Sequence, residues 1–476
     1  MSKRKYNELL HKHGKVIDYM DDIYDLFDRH YGEEDYRYAW KEVASNKLFD
    51  KLLATDKKGI FKVDRTPLIG YPTGFPTLDY INGYIVNVPD INNPNKIIER
   101  WVNCGLFSGT FNMVIGNSGV AKTTYCVQAG SHIIRPFDNG LFIHLDGEHS
   151  SDYSHIMKLN RFSPKEIEDK YVMPELHYIE DVYKMIVELA ELKLLSDEYY
   201  YDTGHLDSFG KPVKGIVPTV ILMDSLPTFQ IKEGLKEGET ATTSKKEMDS
   251  QTYNMRLAIA YNTFYKALRP VIYQANIIVL AINHIKEKPE MGFTKTQAKI
   301  QYLKTNESIP GGTGPIYLSQ TLTRFVYKGK YTEEKHGFDG FQVQAQTVKS
   351  KTNRSDQIAD LVFDYNCGFD PWLTLVKFAD DNGLIQGRNP YSYLKSMPDV
   401  KFSTKNFRKD SNEQVQQALL EACYPYLYRT LGNASFDPLK EDNTDKIDKQ
   451  LSMAYNLSSD VAQETEVNDI FSEEVK

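Results

Sequence analysis

Residues 111–125 read FNMVIGNSGVAKTTY, and the reading of this stretch decides the fold. Phe111–Ile115 predicts a buried strand. It runs into the turn Gly116-Asn117-Ser118-Gly119-Val120-Ala121-Lys122-Thr123, and a helix is expected behind it. Small residues let consecutive backbone N–H groups curl around a phosphate. The helix start adds unpaired N–H groups that favour negative charge. Lys122 can reach terminal phosphates, and the Thr123 hydroxyl can bind a bridging Mg²⁺. Ala121 stands where the template carries its last glycine. A methyl group there costs little room but restricts the backbone, and the cradle should survive if Ala121 is helical. The competing reading, a glycine turn beside a chance Lys-Thr, does not account for the strand–turn–helix context.

Three further strand ends carry polar residues. Val220-Ile221-Leu222-Met223 leads into Asp224, an acid placed to hold Mg²⁺ beside the cradle or, more simply, to cap the next helix. Leu141–Leu145 leads into Asp146-Gly147-Glu148. Glu148 is the choice for polarising an attacking water, with Asp146 as its competitor and one of the two structural. Ile277–Ile282 ends in Asn283-His284, where ligands bind in open α/β sheets, so the pair can sense a terminal phosphate.

Outward from these strands, apolar runs alternate with helical stretches from Gly70 to about Leu384. That texture predicts an α/β fold with a mostly parallel central sheet covered on both faces. Four parts are expected: a helical N-terminal oligomerisation region over 1–65, a core over 66–390, a C-terminal region over 391–455 and an acidic tail over 456–476. In the first part, Ile17, Met20, Ile23, Tyr24 and Phe27 share a helical face. In the third, residues 413–424 read as a helix with Pro425 as its stop.

The four cysteines form no CxxC pair and no zinc spacing, which points to a reducing compartment. The N-terminus shows no secretory apolar core, and no stretch approaches a membrane span. The expectation is a cytoplasmic protein with no membrane partner. A net charge of -8 argues against a generic nucleic-acid coat, so any nucleic-acid contact must come from local sites.

The motifs together resemble the RecA-like recombinases, the phage UvsX-type recombinases most of all, over about residues 71–385. Thr73-Gly74-Phe75-Pro76-Thr77-Leu78-Asp79 resembles the opening of that family's ATPase core. GNSGVAKTT at 116–124, Thr124 included, resembles its phosphate loop. LDGEH at 145–149 resembles the strand bearing the catalytic glutamate, which favours Glu148. ILMDS at 221–225 resembles the magnesium-side strand, and AINH at 281–284 the sensor strand. GGTGPIYLSQTLTRFVYKGK at 311–330 and VKSKTNRS at 348–355 resemble the remainder of the phage core. Ala121, His284 (glutamine in bacterial relatives), and the longer N-terminal and 284–311 segments depart from the pattern.

The resemblance implies a RecA-like P-loop ATPase core using ATP and Mg²⁺. It implies that Lys349 and Lys351, with Arg354 as a substitute, reach a neighbouring subunit's nucleotide, and that Asp152 and His155 lie near adenine; the competing readings are a pair of solvated strand-end lysines and a His155 on an exposed helix face. It implies single-stranded DNA and homologous duplex DNA as partners, a helical filament of identical subunits, and a mediator and single-strand-binding proteins. Two polar segments are placed as DNA loops. Residues 230–250 carry Lys232, Lys236, Lys245 and Lys246. Residues 285–311 mix five lysines with Phe293 and Tyr302, a composition suited to single strands without sequence choice. The activity implied is DNA-dependent ATP hydrolysis driving homologous pairing and strand exchange in recombination and repair. The alternatives are a ring helicase on the same core and a nucleotide-dependent scaffold that barely hydrolyses.

Overall fold

The computed structural model describes residues 67–90, 93–232, 250–287, 302–303, 306–310, 314–405, 407 and 411–432. The expected N-terminal helical region over 1–65 and the tail over 456–476 lie outside these residues. So does most of the two expected DNA loops. Among the described residues, Val187–Tyr199 fall in a separate unit and contain the 3-10 turn Asp197–Tyr199. Pro67–Ile186 and the residues from Tyr200 form the larger unit.

A mixed α/β architecture is built on one large sheet. Its strands are β1 (Phe111–Gly116), β2 (Leu141–Asp146), β3 (Tyr171–Val172), β4 (Thr219–Asp224), β5 (Ile277–His284), β6 (Thr321–Tyr331), β7 (Gly340–Ser350), β8 (Ile358–Asp364) and β9 (Gly368–Phe369). Their order is β9-β8-β7-β6-β1-β5-β4-β2-β3. From β6 to β3 every neighbour is parallel, while β7, β8 and β9 join antiparallel.

The burial pattern explains this division. Strands β1 and β4 are buried at every position, as strands covered on both faces must be. Strand β7 alternates along much of its length, as a strand with one wetter face does. Parallel strands need crossovers. Helix α1 (Lys122–Ile134) lies between β1 and β2, and α2 (Ser250–Gln274) between β4 and β5. Val114, Val127, Ile133, Phe142, Leu222 and Leu280 close the main core between α1 and the sheet.

A second apolar cluster joins α3 (Pro371–Asp381) to α4 (Glu413–Tyr428) through Leu375, Val376, Leu419 and Leu427, and reaches Tyr80 and Ile85. Here the structure corrects the expected stop at Pro425: α4 continues to Tyr428. A proline inside a helix costs about 3 kcal/mol. Tyr424, Leu427 and Tyr428 are all buried around it, and that burial offsets the cost. No helix among the described residues is long and apolar enough to cross a membrane.

Leu280 is almost fully buried between the sheet and its helices, whereas Ile358 is 46% exposed. Leu280→Ala should lower unfolding stability by about 2–5 kcal/mol, and Ile358→Ala by no more than about 0.5 kcal/mol. Urea unfolding followed by circular dichroism separates the two.

Candidate functional site

The parallel strands β1, β5, β4 and β2 bring their carboxyl ends to one edge, with Gly116, His284, Asp224 and Asp146 as their last residues. Gly116 pairs with His284, and Asp224 with Asp146, so the sheet's own register gathers the four strand ends.

After Gly116 the chain leaves the sheet with Asn117, Ser118 and Gly119 exposed and Val120 buried. Gly119 (φ 78) and Ala121 (φ 56, ψ 37) both take left-handed backbone, and Val120 between them does not. Alternating handedness turns successive N–H groups to one side, the geometry of an anion cradle. A Cβ on Gly119 would meet nothing within 4 Å, so glycine is needed there for its φ and not for space. Ala121 therefore does not take the helical backbone under which the cradle was expected to survive its methyl group. Ala121 is the left-handed cap of α1, the conformation for which glycine is the usual residue, and it bears the strain of its methyl group there.

Lys122 opens α1 and is 6% exposed. Its Nζ donates to the Gly116 carbonyl at 3.1 Å and the Asn117 carbonyl at 2.8 Å, closing the loop on itself. Burial pushes its pKa down, while Asp224 and Glu148 pull it back up. Thr123 Oγ1 donates to Asp224 Oδ2 at 2.6 Å. Thr124, the next residue of α1, is partly buried.

Asp224 is 3% exposed, and burial raises its pKa to about 6. The Thr123 hydrogen bond and Lys122 oppose that rise, while Glu148 and Asp146 add to it. The two acids after β2 divide their roles. Asp146 accepts the backbone N–H groups of Glu148, Ser150 and Ser151 at 3.1, 2.9 and 2.8 Å, so its carboxylate builds the turn. Gly147 N donates to the Asp224 carbonyl at 2.7 Å, and a Cβ on Gly147 would strike Thr228 Oγ1 at 2.0 Å. The turn is thereby pressed against the end of β4. Glu148, 41% exposed at its side chain, instead accepts Ser225 Oγ at 2.8 Å and lies 3.3 Å from His284 Nε2.

Asn283 is fully buried. Its Nδ2 donates to the Pro310 carbonyl at 2.9 Å, and its Oδ1 accepts the His284 N–H at 2.8 Å. Glu148, His284, Asn283 and Pro310 thus form one connected chain from the turn after β2 to the segment before β6. Comparison with protein-family models and with curated proteins gives no match.

The structure does not gather every expected residue. Asp152 caps the helix Tyr153–Asn160, accepting Ser154 N and His155 N, and His155 is exposed on that helix. Lys349 and Lys351 stand at the opposite edge of the sheet, where Lys349 pairs with Leu322 near the start of β6. Lys349 Nζ donates to the Ile316 and Tyr317 carbonyls at 2.7 and 2.6 Å, and Lys351 Nζ to Leu318 at 3.3 Å. Burial, then Lys351, then Arg269, bring the Lys349 pKa down to about 8. Arg354 pairs with Asp356 at 3.3 Å.

Residues 233–249, 288–301, 304–305 and 311–313 lie outside the described residues, with Lys236, Lys245, Lys246 and Phe293 among them. Of the loop residues that are described, Lys232 pairs with Asp181. Tyr302 donates its hydroxyl to the Asp356 carbonyl at 2.7 Å. Glu307 is held by both terminal nitrogens of Arg324 at 2.7 and 2.8 Å, and this pair anchors the end of the second loop. Nothing in the local sequence marks Arg324 as the partner of Glu307. The role of Ser225 was also missed, although it directly follows Asp224.

The donor set at the cradle fits a magnesium ion held jointly with phosphate. Among the described residues no group of three or more His, Cys, Asp or Glu side chains could cage a metal. Mg²⁺ does not need such a cage. It keeps several waters and takes one or two protein oxygens plus substrate phosphates. Thr123 Oγ1 and Asp224 are such a pair, and Asp224 sits where burial and two neighbouring carboxylates make an added cation favourable.

The strain at Ala121 is directly testable. Ala121→Gly removes the left-handed penalty and regains less than that in unfolded-chain entropy, so stability should rise by about 1 kcal/mol or slightly less. Ala121→Val should lower it. Thermal unfolding of the two variants checks the sign.

Proposed function

We propose that the chain is a DNA-dependent ATPase on a RecA-like P-loop core, which assembles on single-stranded DNA and promotes homologous pairing and strand exchange. The observation that carries the ATPase part is the conjunction at one sheet edge: an N–H cradle closed by Lys122, the Thr123–Asp224 hydrogen bond, and Glu148 tethered to Ser225 and His284. The DNA and recombination parts rest on the order of motifs along the sequence.

In this reading the loop N–H groups and the start of α1 bind the terminal phosphates. Lys122 exchanges the Gly116 and Asn117 carbonyls for phosphate oxygens. Mg²⁺ supplies charge neutralisation across the phosphates when held by Thr123 and Asp224. Glu148 orients the attacking water and receives its proton. Ser225 and His284 fix the rotation of the Glu148 carboxylate. The chain through Asn283 to Pro310 ties that carboxylate to the second loop, so occupation of the cradle and the position of the loop are mechanically linked.

Lys349 and Lys351 cannot serve the cradle of their own chain, being at the other edge of the sheet. A neighbouring subunit's cradle would have to meet them. Their cationic charge would then stabilise the transferred phosphoryl group only in an assembly, and an isolated monomer should hydrolyse slowly.

Glu148→Gln keeps the shape and removes the proton acceptor. It should lower phosphate release on single-stranded DNA by about 10²–10⁴-fold while retaining Mg²⁺-dependent ATP binding. Turnover at the unmodified rate would remove Glu148 from this role. With ATP, single-stranded DNA and a homologous duplex, the unmodified protein should yield joint molecules. An active ATPase that forms closed rings on DNA and no joint molecules would favour the helicase instead.

A further inference from the structure

Strand β2 carries one polar side chain into the core. His144 is fully buried and pairs in register with Leu222 of β4. Its Nδ1 lies 2.8 Å from the hydroxyl of Tyr171 on β3. Its Nε2 is buried and has no hydrogen-bond partner. That nitrogen lies 4.0 Å from Asp224 Oδ2, the same oxygen that accepts the Thr123 hydroxyl. A buried polar atom left unpaired costs about 1–3 kcal/mol, so an apolar residue would serve packing better at this position.

The protonation state follows from the surroundings. Burial brings the imidazole down to about 4, against the opposing pull of Asp146, and a charged ring would carry an Nε2–H in any case. Burial raises the Tyr171 phenol, which stays protonated. A neutral imidazole carries one proton. If Nδ1 held it, the bare Nε2 lone pair would face the Asp224 carboxylate and repel it. If Tyr171 donates to Nδ1, the proton sits on Nε2 and points at Oδ2. The second arrangement is the electrostatically favourable one.

We propose that His144 is a positioning residue for Asp224: the Nε2–H, set by the Tyr171 hydroxyl, fixes the rotation of the Asp224 carboxylate and leaves Oδ1 as the oxygen available to a cation. At 4.0 Å the contact is electrostatic and too long for a hydrogen bond. Oδ2 is thereby engaged from two sides, by Thr123 from α1 and by His144 from β2. Outer groups of this kind commonly tune metal affinity 10–100-fold without touching the metal. The inference rests on the reading of Asp224 as the magnesium-side acid.

The test measures binding of a fluorescent, non-hydrolysable ATP analogue as Mg²⁺ is titrated, for the full chain and for His144→Phe, His144→Gln and Tyr171→Phe, with thermal unfolding as the fold control. His144→Phe should raise the Mg²⁺ concentration for half-maximal binding about 10-fold and leave Mg²⁺-free nucleotide affinity unchanged. His144→Gln, which keeps an N–H donor, should recover most of the loss. Tyr171→Phe should show a smaller rise. A folded His144→Phe with an unaltered Mg²⁺ requirement overturns the proposal. So does equal weakening with and without Mg²⁺, which marks a purely structural residue. If His144→Phe does not fold, an unaltered Mg²⁺ requirement in Tyr171→Phe overturns it. If the unmodified protein binds the analogue with no Mg²⁺ dependence, the reading of Asp224 itself fails and this inference falls with it.

Discussion

A buried ammonium organises this molecule. Lys122 lies almost out of water at the junction of strand β1 and helix α1, and it holds two carbonyls of the loop that connects them. Burying a cation is costly unless hydrogen bonds and nearby opposite charge compensate. Here the Gly116 and Asn117 carbonyls supply the first, and Asp224 and Glu148 the second. The same groups explain why the site is poised for a ligand. Asp224 is held at about 6 by burial and by neighbouring carboxylates, so positive charge entering beside it is favoured, while the loop offers N–H groups suited to negative charge. In the proposed reading, a magnesium-bound phosphate group would satisfy both demands together.

The sheet's parallel register makes the gathering of these groups inexpensive. Residues far apart in sequence, from Gly116 to His284, arrive at one edge because β1, β5, β4 and β2 run in the same direction. The connecting segments are then free to carry chemistry, as ends of parallel strands commonly are. The antiparallel strands β7 and β8 extend the sheet on the other side. There, at the opposite edge, burial together with the nearby Lys351 and Arg269 depresses the Lys349 pKa. One chain therefore carries the edge with Asp146, Glu148 and Asp224 and the edge with Lys349 and Lys351 apart from each other.

Much of this was legible in the sequence, for physical reasons. Strands β1, β2, β4 and β5 announce themselves as apolar runs because both faces are covered, and each extends only one or two residues beyond the expected bounds. Glu148 was separable from Asp146 only by resemblance. In the structure three backbone N–H groups occupy the Asp146 carboxylate, while Glu148 accepts the Ser225 hydroxyl. What escaped depended on tertiary context. Nothing local marks Ala121 as left-handed, a conformation rare for alanine, and the loop imposes it. Pro425 was expected to end a helix, but buried tyrosines on either side carry the helix through it. The Arg324–Glu307 pair and the Ser225–Glu148 contact join residues that nothing local marks as partners. Asp152 shows the converse case, a short acid before a helix whose capping bonds are the commoner use of that residue type.

The central claim is that the loop after β1 takes a triphosphate through its backbone and Lys122. Isothermal titration calorimetry of the full chain with ATP, with and without Mg²⁺ and single-stranded DNA, tests it most directly, with Lys122→Ala as the comparison. The account predicts saturable binding that Mg²⁺ tightens and that is lost in Lys122→Ala, whose thermal unfolding still shows a folded chain. The absence of any Mg²⁺-dependent ATP affinity in the unmodified protein, even with DNA present, would contradict it.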